Sequence, residues 1–405
     1  MRPSARDARC LASTILLITL LAVPLRAPAS PRRPAVARLL VDGTTPPCWC
    51  QWRYDPIHLG VQPAETRLST STASNLHKRW QFLTLKYVHS SPAVADGMVF
   101  VGSLDWKVYA LTESTGKLVW SFKTGKNTSN IGPSEDMPGI HSSPAVADGR
   151  VYFGSDNFSV YALDEFTGQL VWRFKTGEDV GASPTVVNGV VYIGSADDNV
   201  YALDEATGQE LWRYTTGASI RSSAAVVGGI MYVASTDQYL YALDAATGTL
   251  VWKTFIGLEP RSSPAVADGR VFVGSYDHHV YALDAATGVV LWTFDAGAHV
   301  RPSPAVSGGM VYIGSASNTM YALDAATGAV VWSFKTTAAI RSSPAVANGV
   351  VYFGSHDHNV YALDAATGRK LWKFATGGVV YSSPSVLDGN VFVGSNDRKV
   401  YAFTV

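Results

Sequence analysis

One tripeptide recurs through this chain at a fixed interval. Tyr-Ala-Leu, or Tyr-Ala-Phe in the last copy, begins at Tyr109, Tyr161, Tyr201, Tyr241, Tyr281, Tyr321, Tyr361 and Tyr401. The interval is 40 residues throughout except for the first, which is 52. A tryptophan keeps step at Trp80, Trp120, Trp172, Trp212, Trp252, Trp292, Trp332 and Trp372. Self-similarity at this period means one supersecondary unit, repeated, with each copy burying its apolar face on its neighbours.

A single unit reads as four short strands. Ser342 to Val346 is extended, and Asn348-Gly349 is a tight-hairpin signal. Val350 to Ser355 is a second strand. A turn around His356-Asp357-His358 leads to Val360-Tyr361-Ala362-Leu363, and Thr367-Gly368 turns the chain into Leu371-Trp372-Lys373-Phe374. Four antiparallel strands in about 40 residues is the size of a propeller blade. Pro92, Pro144, Pro184, Pro264, Pro304, Pro344 and Pro384 all fall in the first strand. Proline has no ladder donor, so that strand is an edge, and in a propeller this edge lines the central channel. The repeats start in the phase of a fourth strand, at Trp80, and stop in the phase of a third, at Tyr401-Ala402-Phe403. Pairing the two completes an all-β, eight-bladed propeller, closed three strands plus one, with no open end to aggregate.

The remaining sequence divides into a leader and a lead-in. Arg2, Arg6 and Arg9 precede an apolar run from Leu11 to Leu25, and Ala27-Pro28-Ala29 offers small residues for cleavage. This reads as a signal peptide over residues 1–29. Residues 30–75 form an extension, and the propeller occupies 76–405. Export places the chain in the periplasm or outside the cell, with a membrane anchor as the lesser alternative. Acidic and basic residues balance at 32 each; without the leader, 28 basic and 31 acidic remain. No global field favours nucleic acid or an anionic membrane, and a monomer is expected. Of three cysteines, Cys10 lies in the leader, and Cys48 and Cys50 flank a tryptophan. They read as a local disulfide rather than a metal site, since further ligands are not apparent nearby.

Ala322-Leu-Asp-Ala-Ala-Thr-Gly-Ala-Val-Val-Trp332 fits the pattern A-x-D-x-x-T-G-x-x-x-W, and six copies match it fully; the first has Thr112 for the aspartate. The pattern resembles the tryptophan-docking motif of the pyrroloquinoline quinone (PQQ)-like propeller repeat family. Residues 52–76, with Tyr54-Asp55, Gly60 and Pro63-Ala64-Glu65-Thr66, resemble the lead-in common before such repeats. The resemblance implies that the eight tryptophans fill gaps between blades. It admits two functions: PQQ-dependent dehydrogenases that oxidise alcohols or sugars with PQQ and calcium, and quinone-free binding propellers such as outer-membrane assembly proteins. Fold does not choose between them.

Strand direction places the residues just before each first strand around one channel mouth. They are His89, His141, Gly181, Arg221, Arg261, Arg301, Arg341 and Tyr381. Four consecutive arginines suit a carboxylate or phosphate; alternatively they pair with turn aspartates such as Asp237, Asp277 and Asp357. The neighbouring turn tips are Trp106, Phe158, Asp198, Gln238, His278, Asn318, His358 and Arg398, none of them glycine. His278, His279, His356 and His358 sit on blades two apart, too far for one ion. A 12-residue excess in the first interval, within 126–139, lies on the same face. The dehydrogenase reading expects, by resemblance, a vicinal cysteine pair and acidic ligands on long insertions. There are no adjacent cysteines, no C-x-x-C-H for haem and one insertion only. A non-catalytic scaffold is therefore expected, with no cofactor, binding a protein or small anionic ligand at His89, His141, Arg221, Arg261, Arg301, Arg341 and Tyr381.

Overall fold

Each 40-residue unit folds into the expected antiparallel sheet because its alternating apolar residues and its turns agree in period. A computed structural model of the chain describes residues 48–51, 53–125 and 138–405. The leader, its cleavage site, Trp52 and most of the 126–139 insertion lie outside the described residues. Blades 1 to 7 occupy 93–123, 145–175, 185–215, 225–255, 265–295, 305–335 and 345–375. Blade 8 is composite. Its inner three strands lie between Ser385 and Thr404, and its outer strand is His77–Leu83, with Trp80 opposite Ala402. The architecture and its closure are those expected.

The tryptophans dock as the repeat implies. Each indole N–H donates to a backbone carbonyl of the next blade, as from Trp120 to Glu165 at 2.8 Å and from Trp172 to Glu205 at 2.9 Å. The ring lies over the glycine of that blade's Thr-Gly turn. A Cβ on Gly168, which has φ +68°, would stand 2.6 Å from Trp120 Cδ2, so the turn requires glycine twice over. Blade 8 has no such turn. There Trp372 donates instead to Leu76 of the lead-in, at 2.7 Å.

The inner strands form two belts. In the first, the backbone N–H of each of eight serines donates to the hydroxyl of the next blade's serine. The belt runs Ser91, Ser143, Ser183, Ser223, Ser263, Ser303, Ser343, Ser383 and back to Ser91, at 2.8–3.0 Å. The second belt departs from expectation. The inner edges do not line an open channel, because the lead-in winds around inside it. The middle N–H of seven inner strands donates to this segment. Val94 bonds Trp49 O, Val146 Cys50 O, Val226 Pro56 O, Val266 Ile57 O, Val306 Leu59 O and Val346 Gly60 O. Val186 bonds the Gln51 side chain at 3.0 Å. Val61–Gln62 then pairs in parallel with Ala345–Ala347. An edge strand leaves such groups unpaired, and unpaired buried N–H groups are costly; the lead-in satisfies them.

Candidate functional site at the channel mouth

The turn between the second and third strands and the connection into the first strand share one face, as expected. The aspartates on that face serve the scaffold. Asp105, Asp197, Asp237, Asp277, Asp357 and Asp397 each accept the O–H of the marker tyrosine four residues on. Several also accept an N–H from the incoming connection, as Asp197 does from Gly177 and Asp237 from Gly217. Asp237, Asp277 and Asp357, the alternative partners for the mouth arginines, each hold a tyrosine hydroxyl. The turn tips from Trp106 to Arg398 all have positive φ, between 64° and 82°, although none is glycine.

The arginines find other neighbours. Arg221 pairs with Asp179 at 3.7 Å, and Arg261 with Glu259 at 3.3 Å. The Arg261 guanidinium also lies over the Tyr276 ring, and Tyr276 stacks on His299. Arg341 lies over Tyr381. On the other side of the mouth the rings meet. Tyr381 sits between His89 and His356, at centroid separations of 4.6 and 4.5 Å. The His89 and His141 Nδ1 atoms are 3.4 Å apart, and His141 Nε2 is 3.5 Å from Asp156. The mouth is therefore two-sided, with arginines over blades 4 to 7 and a histidine–tyrosine cluster over blades 7, 8, 1 and 2. His278 meets His299 rather than His356 or His358.

Burial and the nearby Arg341 and Arg301 charges push the His356 imidazole down to about 4. Its folded value lies below its unfolded one, so the unfolded state binds the extra proton. Stability from this group is whole above about pH 6.5 and falls as pH drops toward 4. Because His356 is partly exposed, solvent screening holds the loss to roughly 1 kcal/mol. The Hε1 resonance of His356 should titrate near pH 4, and Arg341→Gln should raise that midpoint; a midpoint of 6.5 in both proteins would contradict the geometry. Asp156 is shifted upward by burial, against the opposing pull of His141.

Sequence reasoning missed the residues that occupy the channel. Arg53 donates to the carbonyls of His58, Ser303 and Pro304. His58 Nε2 meets Thr185 Oγ1 at 3.2 Å. Burial lowers Arg53 to about 9 and His58 to about 3, and raises Asp55 to about 6. Cys48 and Cys50 form a disulfide at the start of this segment, as expected.

Four stretches, 61–137, 123–225, 196–333 and 290–405, match the family model described as outer membrane protein assembly factor BamB. The chain belongs to this family. A 93-residue stretch is 34% identical to the BamB of Xanthomonas campestris pv. campestris, covering 23% of this chain and 22% of that protein. A 131-residue stretch is 28% identical to the dehydrogenase subunit of a quinone alcohol dehydrogenase from Komagataeibacter europaeus, covering 32% of this chain and 16% of that subunit. Each match thus spans under a quarter of the relative's length. Among solved structures, a europium-containing methanol dehydrogenase superposes with a TM-score of 0.78 at 15% identity, over 89% of this chain and 99% of that one. BamB from Moraxella catarrhalis superposes at 0.67 and 18% identity, over 82% and 100%. These likenesses establish the fold, which an assembly factor and a dehydrogenase share.

A calcium–quinone pair would need a cluster of oxygen donors. Calcium takes about 6–8 oxygen donors, several from carboxylates. Among the described residues no three His, Cys, Asp or Glu side chains form a metal-holding group. Six turn carboxylates accept tyrosine hydroxyls, and the channel holds the Arg53 cation, which would repel a second cation beside it.

Proposed function

We propose that this BamB-family chain is an exported, non-catalytic propeller that binds an anionic segment of a protein partner, or a small anionic ligand, at its channel mouth. The observation that carries this reading is the division of charge on the mouth face. Four consecutive blades present arginines there, and the turn carboxylates Asp237, Asp277 and Asp357 each hold a tyrosine hydroxyl in the scaffold. Arg221 and Arg261 keep partly exposed acidic neighbours, which a stronger anion can displace. Membership of a family described by an assembly factor supports a protein partner in the periplasm or outside the cell. No helix among the described residues is long and apolar enough to cross a membrane.

A fluorescent oligoglutamate peptide serves as the probe. It should bind at low salt and weaken as salt rises, and the Arg261→Gln/Arg301→Gln double variant should lose at least about tenfold in affinity. Unchanged affinity would remove the arginines from the site. The competing dehydrogenase reading is tested on the same protein with PQQ and calcium. A stoichiometric quinone spectrum together with dye-linked alcohol oxidation would overturn the proposal.

A further inference from the structure

We propose that the channel holds a monoatomic anion of chloride size, between the Arg53 guanidinium and the hydroxyls of Ser91 and Ser383. The site lies between the lead-in and the inner edges of the blades and is lined by none of the mouth arginines.

Arg53 is 2% exposed. Its acceptors are three neutral carbonyls, those of His58, Ser303 and Pro304. Among the described residues no carboxylate forms an ion pair with it. Asp55 acts on it only through space, and its carboxylate accepts the Leu59 N–H at 3.2 Å. The hydrogen-bond partners of Arg53 are neutral, so the desolvation cost of the buried cation is offset by charge only through space, from Asp55. His58, the other titratable group beside it, is neutral and supplies no negative charge.

A small cavity adjoins the guanidinium, lined by Trp49, Arg53, Ser91, Pro344, Ser383 and Pro384. Its size is about that of one water, so a halide needs the surrounding side chains to give slightly, and a sulfate or a carboxylate group does not fit. The lining is rich in donors. A guanidinium has more N–H groups than its three carbonyl partners use. Ser91 Oγ accepts the Ser383 N–H, and Ser383 Oγ accepts the Ser343 N–H. Neither hydroxyl donates to a described residue, so both protons remain to be given. Trp49, Pro344 and Pro384 bring no side-chain acceptor. A cation is repelled here. A water would meet some donors but leave Arg53 with no anion in contact, Asp55 acting on it only through space. A halide meets both needs.

The backbone is built around this arrangement. Arg53, Tyr54 and His58 all adopt positive φ, at 60°, 82° and 58°, which non-glycine residues hold only under strong constraint. Gly60, at φ +66°, leaves room for the guanidinium: a Cβ there would stand 2.3 Å from Arg53 Nη2.

The test uses the full mature chain. Crystals grown in sodium bromide should show an anomalous peak in the channel beside Arg53. In solution, Tm in sodium chloride or bromide should exceed that in equimolar sodium gluconate by about 2 °C or more. Arg53→Gln should abolish that difference. Should the variant fail to fold, the wild-type crystal and Tm readouts decide alone. A channel without bromide, with peaks only on the outer surface or an ordered water in the cavity, overturns the proposal. So does a Tm that is the same in halide and gluconate.

Discussion

A chain beginning at residue 63 will keep its eight blades yet unfold at markedly lower urea than a chain beginning at residue 30. The shorter chain retains the closing strand His77–Leu83 and every docking tryptophan, so its far-UV circular dichroism should remain that of a propeller. What it loses is the lead-in inside the channel. The middle N–H groups of seven inner strands then lack the acceptors at Trp49, Cys50, Gln51, Pro56, Ile57, Leu59 and Gly60. A hydrogen bond is worth about 1 kcal/mol net, and leaving a buried donor unmet costs about 1–3. Water entering the emptied channel will recover part of this. A net loss of about 5 kcal/mol follows. It should be read as a fall in the urea midpoint, with little change in slope because the blades still unfold together. Equal midpoints would mean that channel water replaces the lead-in without cost, and that the lead-in is not structural.

The contrast between blades and lead-in explains what could be read in the sequence. Blade phase, closure and tryptophan register are written many times over, and each copy corroborates the others. The lead-in is written once. Its contacts are made largely by backbone carbonyls, which carry no residue signature, and it turns at Arg53, Tyr54 and His58 through conformations that pattern reading assigns to glycine. A signal was nevertheless present. Once the proline-bearing strand was read as an inner edge, the N–H of its middle residue needed a partner, and asking where it went leads to the segment before the repeats. The mouth was legible in position but not in pairing. His89, His141, Arg341 and Tyr381 gather where strand direction put them, and the turn aspartates hold the marker tyrosines. That pairing was also visible, since an aspartate stands four residues before the marker tyrosine in six repeats. The eight-serine belt was missed for a different reason. Its serines are regular in sequence, but their role depends on one blade's N–H meeting the next blade's hydroxyl, which only the closed ring brings about.

Replacing Trp80 with alanine will cost more than the same change at Trp252, because Trp80 fastens the one outer blade strand, among the described residues, that no hairpin joins to its blade. Both indoles donate to the next blade, Trp80 to Glu113 at 2.8 Å and Trp252 to Ala285 at 3.0 Å. Both rings lie over a turn glycine, Gly116 and Gly288 respectively. Trp252 is half-buried, and its strand Leu250–Phe255 stays tethered through Thr247-Gly248 to its partner Tyr239–Asp244. Trp80 is 8% exposed, packs on Phe392 within blade 8, and sits in His77–Leu83 opposite Lys399–Thr404, at the far end of the chain. Removing a buried tryptophan typically costs about 3–5 kcal/mol. At Trp252 that cost should appear as lower stability in a chain that remains monomeric. At Trp80 it also weakens the ring's closure, and the released strand can complete blade 8 of another copy. Light scattering after size-exclusion chromatography should show concentration-dependent oligomers for Trp80→Ala and none for Trp252→Ala. Equal destabilisation and a common monomeric state would place the seam's strength in the backbone ladder of blade 8, and leave Trp80 no special part in closing the ring.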